Sequence, residues 1–151
     1  LATTTLALES GYWSTIGHGV GAILLYAVVG LLLMLVGFWA IDITTPGPLR
    51  KMVCDGNPNA VVVAAAGMVS MALIVVLAIY ASAGKLSEGL IATAVYGLVG
   101  IVAQVISVRV LEKAVGLDIG GLLKSPTYAV QSLLVASAHL GIGLVVAFAI
   151  L

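Results

Sequence analysis

Apolar residues run through four long stretches of this chain without alternating and without gathering on one helix face. The stretches cover residues 21–41, 60–81, 90–111 and 128–151. A helix rises about 1.5 Å per residue, so about 20 apolar residues match a hydrocarbon layer of about 30 Å. A helix that is apolar all round lies in a core or in lipid. The pattern therefore predicts an all-α polytopic membrane protein with four transmembrane helices.

Polar and helix-breaking residues divide the stretches. Residues 1–20 carry Thr3, Thr4, Thr5 and Glu9, then Tyr12 and Trp13, and read as a short extracytoplasmic or interfacial segment. The first apolar run has no Lys or Arg before it and reads as a span rather than a cleaved signal. After Asp42, the run Thr44-Thr45-Pro46-Gly47-Pro48 stops a helix, because proline lacks the amide donor and restricts the residue before it. Residues 49–55 form one more turn, Gly56-Asn57-Pro58 is a second breaker, and Asn57 or Asn59 caps the second span. The units are thus a first hairpin over 21–82, a short outer connection over 83–89 with Gly84, Lys85 and Glu88, and a second hairpin over 90–151. A connection so short makes the middle spans antiparallel neighbours.

Five of the six cations, Arg50, Lys51, Arg109, Lys113 and Lys124, fall on the side of the two longer loops, and Lys85 falls opposite. By the positive-inside rule both long loops are cytoplasmic and both termini extracytoplasmic. Trp39 and Tyr128 then mark the inner interface and Tyr80 the outer one.

A shift of about seventy residues superposes the halves. Tyr26-Ala27-Val28-Val29-Gly30 meets Tyr96-Gly97-Leu98-Val99-Gly100, and Asp42 meets Glu112. With one residue less, Gly67 meets Ala136 and Ser70 meets His139. This predicts two tandem hairpins of the same orientation, related by a pseudo-two-fold axis along the membrane normal. Thr93, Gly97, Gly100, Gln104 and Ser107 fall on one helix stripe, and Ala27, Gly30, Met34 and Gly37 form the matching one. Lipid gives helices no hydrophobic reason to associate, whereas small residues let backbones approach. Gly30, Gly37, Gly97, Gly100 and Ser107 are accordingly read as a helix-packing seam, with a polar strip along a pathway as the other reading.

Composition narrows the function. The 151 residues are 62% hydrophobic and 8% charged, with a mean hydropathy of +1.27, against about 25% charged in a soluble domain. Net charge is zero, so no basic surface invites nucleic acid. Cys54 is the single cysteine, which excludes an intrachain disulfide and a cysteine metal cluster. Phosphate-binding loops, HExxH and GxSxG are absent, and Gly17, Gly19 and Gly21 follow no strand. No catalytic residue, cofactor or metal site is expected.

His139 is the one group near a bilayer centre that titrates around neutral pH. A charge there costs about 2.5–3.5 kcal/mol on insertion scales, so the ring must face protein or water. With Ser70 and Gln104 it forms a candidate proton relay or gate. The plainer reading is a neutral imidazole bonded to Ser70, Gln104 or a backbone carbonyl. Arg109 and Glu112 sit three apart, where they can pair on one face, and Asp42 lies near Arg50 and Lys51.

The loop after the first span carries a resemblance. Asp42-Ile43-Thr44-Thr45-Pro46-Gly47, then Asp55-Gly56-Asn57 leading into the Ala-rich run 60–67, resembles the YjfL-like bacterial membrane proteins, of the domain of unknown function 350 or UPF0719 type. Its loop motif is Thr45, Pro46, Gly47, Gly56 and Asn57. The resemblance covers about residues 22–151 as two tandem two-helix units and implies a bacterial inner membrane and no established activity. The second loop, 113–127, lacks both motif elements. The layout also looks like the proteolipid of rotary ATPases, but that machine needs a carboxylate mid-helix, and Asp42, Glu88 and Glu112 all lie at span ends.

Two functions follow. The first is a scaffold or accessory subunit that oligomerises or binds a membrane partner through the loop over 45–57. The second is a small ion channel or proton-coupled transporter using His139. Lipid bilayer, a second copy or a larger membrane complex are the expected partners.

Overall fold

The computed structural model describes residues 11–82 and 85–151. All regular structure in them is helical. Four helices are long and apolar enough to span a bilayer: α1 (Tyr12–Thr44), α3 (Pro58–Ala81), α4 (Leu86–Val115) and α6 (Gln131–Ala149). Two short helices, α2 (Leu49–Cys54) and α5 (Ile119–Lys124), cover one end of the bundle. The expected features at Thr3, Thr4, Thr5, Glu9 and Gly84 lie outside the described residues.

The helix ends follow local chemistry. α1 starts at Tyr12, well before residue 21, because nothing from 12 to 44 forbids helix; Gly17, Gly19 and Gly21 weaken it without breaking it. Gly11, in the left-handed region at φ 110°, turns the chain into it. α1 stops at Thr44, where Pro46 follows and Thr45 is extended. α4 begins at Leu86 and so takes up most of the expected connection, ending on Gly116 at φ 71°. α6 begins at Gln131, three residues later than the hydropathy pattern suggests, after Pro126. α5 occupies what reads as plain loop. Its N-cap is Asp118, whose side chain accepts from the Gly121 amide at 3.0 Å.

α3 is the central element, with eleven buried residues, and it packs on each of the other helices. Its largest contact is with α6, followed by α4 and α1. α1 leans on α3 and α4 along Gly30, Leu33, Gly37 and Ile41, spaced three and four apart on one stripe. Its first third stands clear of the bundle, with Tyr12 through Val20 all exposed. The arrangement departs from two-fold symmetry, because α3 rests on α4 while α1 makes no comparable contact with α6.

Candidate functional site

Three polar residues inside the spans, Ser70, Gln104 and His139, meet between α3, α4 and α6. Ser70 and Gln104 are 0% exposed and His139 4%. Ser70 Oγ donates to the His139 carbonyl at 2.8 Å. Gln104 Nε2 lies 3.3 Å from His139 Nδ1 and 3.4 Å from the same carbonyl. The ring is thus held by Gln104, whereas Ser70 bonds the backbone beside it. Gln104 Oε1 is buried without a partner. Glycines permit this convergence. A Cβ on Gly143 would collide with Ser70 Oγ, and one on Gly67 would come within 2.9 Å of Ile41 Cδ1.

The expected seam glycines lie at close contacts. A Cβ would meet Val75 at 3.3 Å from Gly30, Met71 at 2.8 Å from Gly37, Leu33 at 2.5 Å from Gly97 and Ile74 at 2.5 Å from Gly100. Each glycine therefore receives a large side chain from a neighbouring helix. Ser107 is half-buried at the margin of the stripe. Nearer the far end of the bundle, Thr93 and Ser82 hydroxyls lie 3.3 Å apart and tie α4 to the end of α3.

A second polar group gathers at the end covered by α2 and α5. Thr45, 7% exposed, donates to the Ile41 carbonyl at 2.6 Å and accepts from Arg109 Nη2 at 3.2 Å. Arg109 Nη1 pairs with Glu112 Oε2, as the spacing of three suggests, and Arg109 Nε is buried without a partner. Pro46 packs over Gly120 and the Lys124 side chain over Gly47, whose φ is 117°. Asp42 forms no ion pair with Arg50 or Lys51. It accepts the Arg50 backbone amide at 3.1 Å, at the start of α2. Lys51 pairs instead with Asp55 at 2.7 Å, a hydrogen bond and charge that raise its pKa above the ordinary lysine value. Gly56 turns the chain at φ 75°, and Asn57 occupies the N-cap position of α3 without a side-chain cap bond.

Asn59, not Asn57, is the working asparagine of this loop, and it serves the other half of the chain. Its Nδ2 donates to the carbonyls of Leu122 at 3.1 Å, Ser125 at 3.4 Å and Thr127 at 2.9 Å, and its Oδ1 accepts the Ala129 amide at 2.8 Å. One fully buried amide thus holds the whole turn between α5 and α6. The one available sequence signal is an asparagine inside an apolar helix start, where a buried amide must find partners.

Replacing Thr45 by Val should remove the Arg109 acceptor at nearly constant shape. The expected loss is about 1–2 kcal/mol, read as a lower unfolding midpoint in detergent. Thr45→Ser, which keeps the hydroxyl, should stay close to the parent.

Four apolar spans, with helix-to-helix polar bonds inside and charges kept to the ends, define a polytopic α-helical membrane protein. The family profile described as Domain of Unknown Function (DUF350) matches residues 15–150, and the chain belongs to that family. It is 46% identical over 85 residues to a UPF0719 transmembrane protein of Mycolicibacterium paratuberculosis, covering 56% of each chain. It is 43% identical over 99 residues to UPF0719 transmembrane proteins of Mycobacterium bovis and Mycobacterium tuberculosis, covering 65% of each chain. The matched region thus spans 56–65% of the length of these curated relatives. No solved structure matches it.

Proposed function

We propose that the chain is a membrane scaffold or accessory subunit, assembled with copies of itself or with a partner in the bilayer, and that it catalyses no reaction. One observation carries this reading: the intramembrane polar groups Ser70, Gln104 and His139 are sealed between helices and bonded across them. Polar groups used in this way fix helix contacts. The Thr45–Arg109 and Asn59 bonds likewise brace the end of the bundle, while Pro46, Pro48, Arg50, Lys51 and Gly56 stay exposed on the outer side of the loop as a partner face. In this reading the chain sits in a bacterial inner membrane, with this end in the cytoplasm and both termini outside, as the cation distribution favours. Tandem duplication is supported by the short helices, six residues each, whose first residues Leu49 and Ile119 lie seventy apart. It is also supported by Ser70 touching the backbone of His139, its partner in the shifted alignment.

The unpartnered Gln104 Oε1 beside His139 favours a second reading, a proton-coupled transporter or small channel. Liposomes separate the two. Under an imposed proton gradient the scaffold should pass no steady proton flux, His139→Ala should change nothing, and the mass in nanodiscs should exceed that of one chain. A steady flux that His139→Ala abolishes would replace the first reading by the second.

A further inference from the structure

The amide of Gln104 decides where His139 keeps its ring hydrogen. Gln104 Nε2 lies 3.3 Å from His139 Nδ1 and 3.4 Å from the His139 carbonyl oxygen. A ring nitrogen donates or accepts, whereas a carbonyl only accepts. The amide nitrogen has two hydrogens and serves both positions. Turning the amide over would set Oε1 against the carbonyl oxygen, two acceptors face to face. It would also place N–H groups where Oε1 now lies buried without a partner. Buried N–H groups without acceptors are rarer than carbonyl oxygens without donors. Ser70 cannot take over the ring, because its hydroxyl hydrogen goes to the same carbonyl at 2.8 Å. Among the described residues no other group hydrogen-bonds the ring.

We propose that Gln104 locks His139 as a neutral ring with its one hydrogen on Nε2, and so makes the ring a dead end for protons. An imidazole relays a proton by taking it on one nitrogen and releasing it from the other, and the bond made by one nitrogen fixes the state of its partner. Nδ1 faces an N–H, so it neither gains a proton from that side nor passes one on until the amide turns over. Nε2 bonds no described residue and is not sealed as Gln104 Oε1 is, so exchange is confined to one end of the ring. The same amide ties α4 to α6 through the His139 carbonyl, and turning it would break that tie as well. Gln104 is thus a positioning residue that acts through His139. The lock deepens the scaffold reading and rests on it, giving the chemical reason why a histidine inside the membrane does not conduct.

The test is nitrogen-15 NMR of the full chain in lipid bilayers, with ring-labelled histidine and with His18→Asn, which leaves His139 as the sole histidine. Nδ1 should resonate as a bare ring nitrogen and Nε2 as a hydrogen-bearing one. The side-chain amide hydrogens of Gln104 should correlate through space with Nδ1. Gln104→Met keeps the length of the side chain and removes the amide, so the hydrogen should exchange between the two nitrogens and draw their resonances together. A hydrogen on Nδ1 with Gln104 in place, a missing Gln104 correlation, or a separation that Gln104→Met leaves unchanged in folded protein would overturn the lock. The correlation is measured without altering Gln104, so it decides if that variant fails to fold. A hydrogen on Nδ1 in protein whose liposomes pass no protons overturns the lock alone, whereas a flux that His139→Ala abolishes overturns the lock and the scaffold reading together.

Discussion

Replacing Asn59 by Ala should unfold this chain more readily than any other single polar substitution in it. The change strips donors from the carbonyls of Leu122, Ser125 and Thr127 and leaves the Ala129 amide without an acceptor, at a position fully closed to solvent. Each buried group left unpaired costs about 1–3 kcal/mol, and even partial rearrangement leaves a loss of about 3 kcal/mol or more. The readouts are the denaturant midpoint in detergent and cleavage after Lys124, which should become rapid once the turn is released. Asn59→Asp should be no better, because it keeps the acceptor for Ala129 but sets a carboxylate against three carbonyl oxygens. A midpoint unchanged in Asn59→Ala would show that the turn is held by its own short-range bonds.

The second large effect is expected at Gly143. A methyl there occupies the place of Ser70 Oγ and comes within 3.2 Å of Ser70 Cα, so side-chain rotation alone cannot relieve it. α3 and α6 must separate, and overpacking of this kind costs about 1–3 kcal/mol. Ser70→Ala, by contrast, removes one interhelical hydrogen bond, worth about 0.6 kcal/mol on average in a membrane protein. The comparison decides which term governs this contact: backbone approach outweighs the hydrogen bond. The paired change Gly143→Ala with Ser70→Gly exchanges the small residue across the interface and should restore at least half of the loss. A Gly143→Ala protein as stable as the parent would remove close packing as the basis of the α3–α6 contact.

Much of this architecture is readable from the chain itself, and the reason is the solvent. Lipid demands long uninterrupted apolar helices, so the four spans, the break at Pro46 and the extra turn over residues 49–54 stand out in hydropathy and proline placement alone. The Arg109–Glu112 pair is legible too, since a spacing of three fixes their proximity on one helix. What stays hidden depends on distance along the chain. Arg109 finds Thr45 across 64 residues and Asn59 finds Thr127 across 68, and no local pattern announces either. α5 is hidden for another reason. Gly120 and Gly121 read as loop, yet Gly120 is needed because Pro46 sits where a side chain would go, and Asp118 supplies the cap. The early start of α1 is missed because Ser14, Thr15 and His18 look like interface, whereas the His18 ring turns back 2.7 Å to the Ser14 carbonyl within the same helix.

The spans differ greatly in height. α1 has 33 residues and reaches about 50 Å, while α6 has 19 and reaches about 29 Å. The apolar part of α1, residues 21–41, nevertheless matches α6 in length, so one bilayer thickness suits both. The excess of α1 lies in residues 12–20, which carry Ser14, Thr15 and His18, are exposed throughout and extend beyond the apolar stretch. That end of α1 is thus a stalk of about 14 Å that carries Tyr12 and Trp13 at its tip.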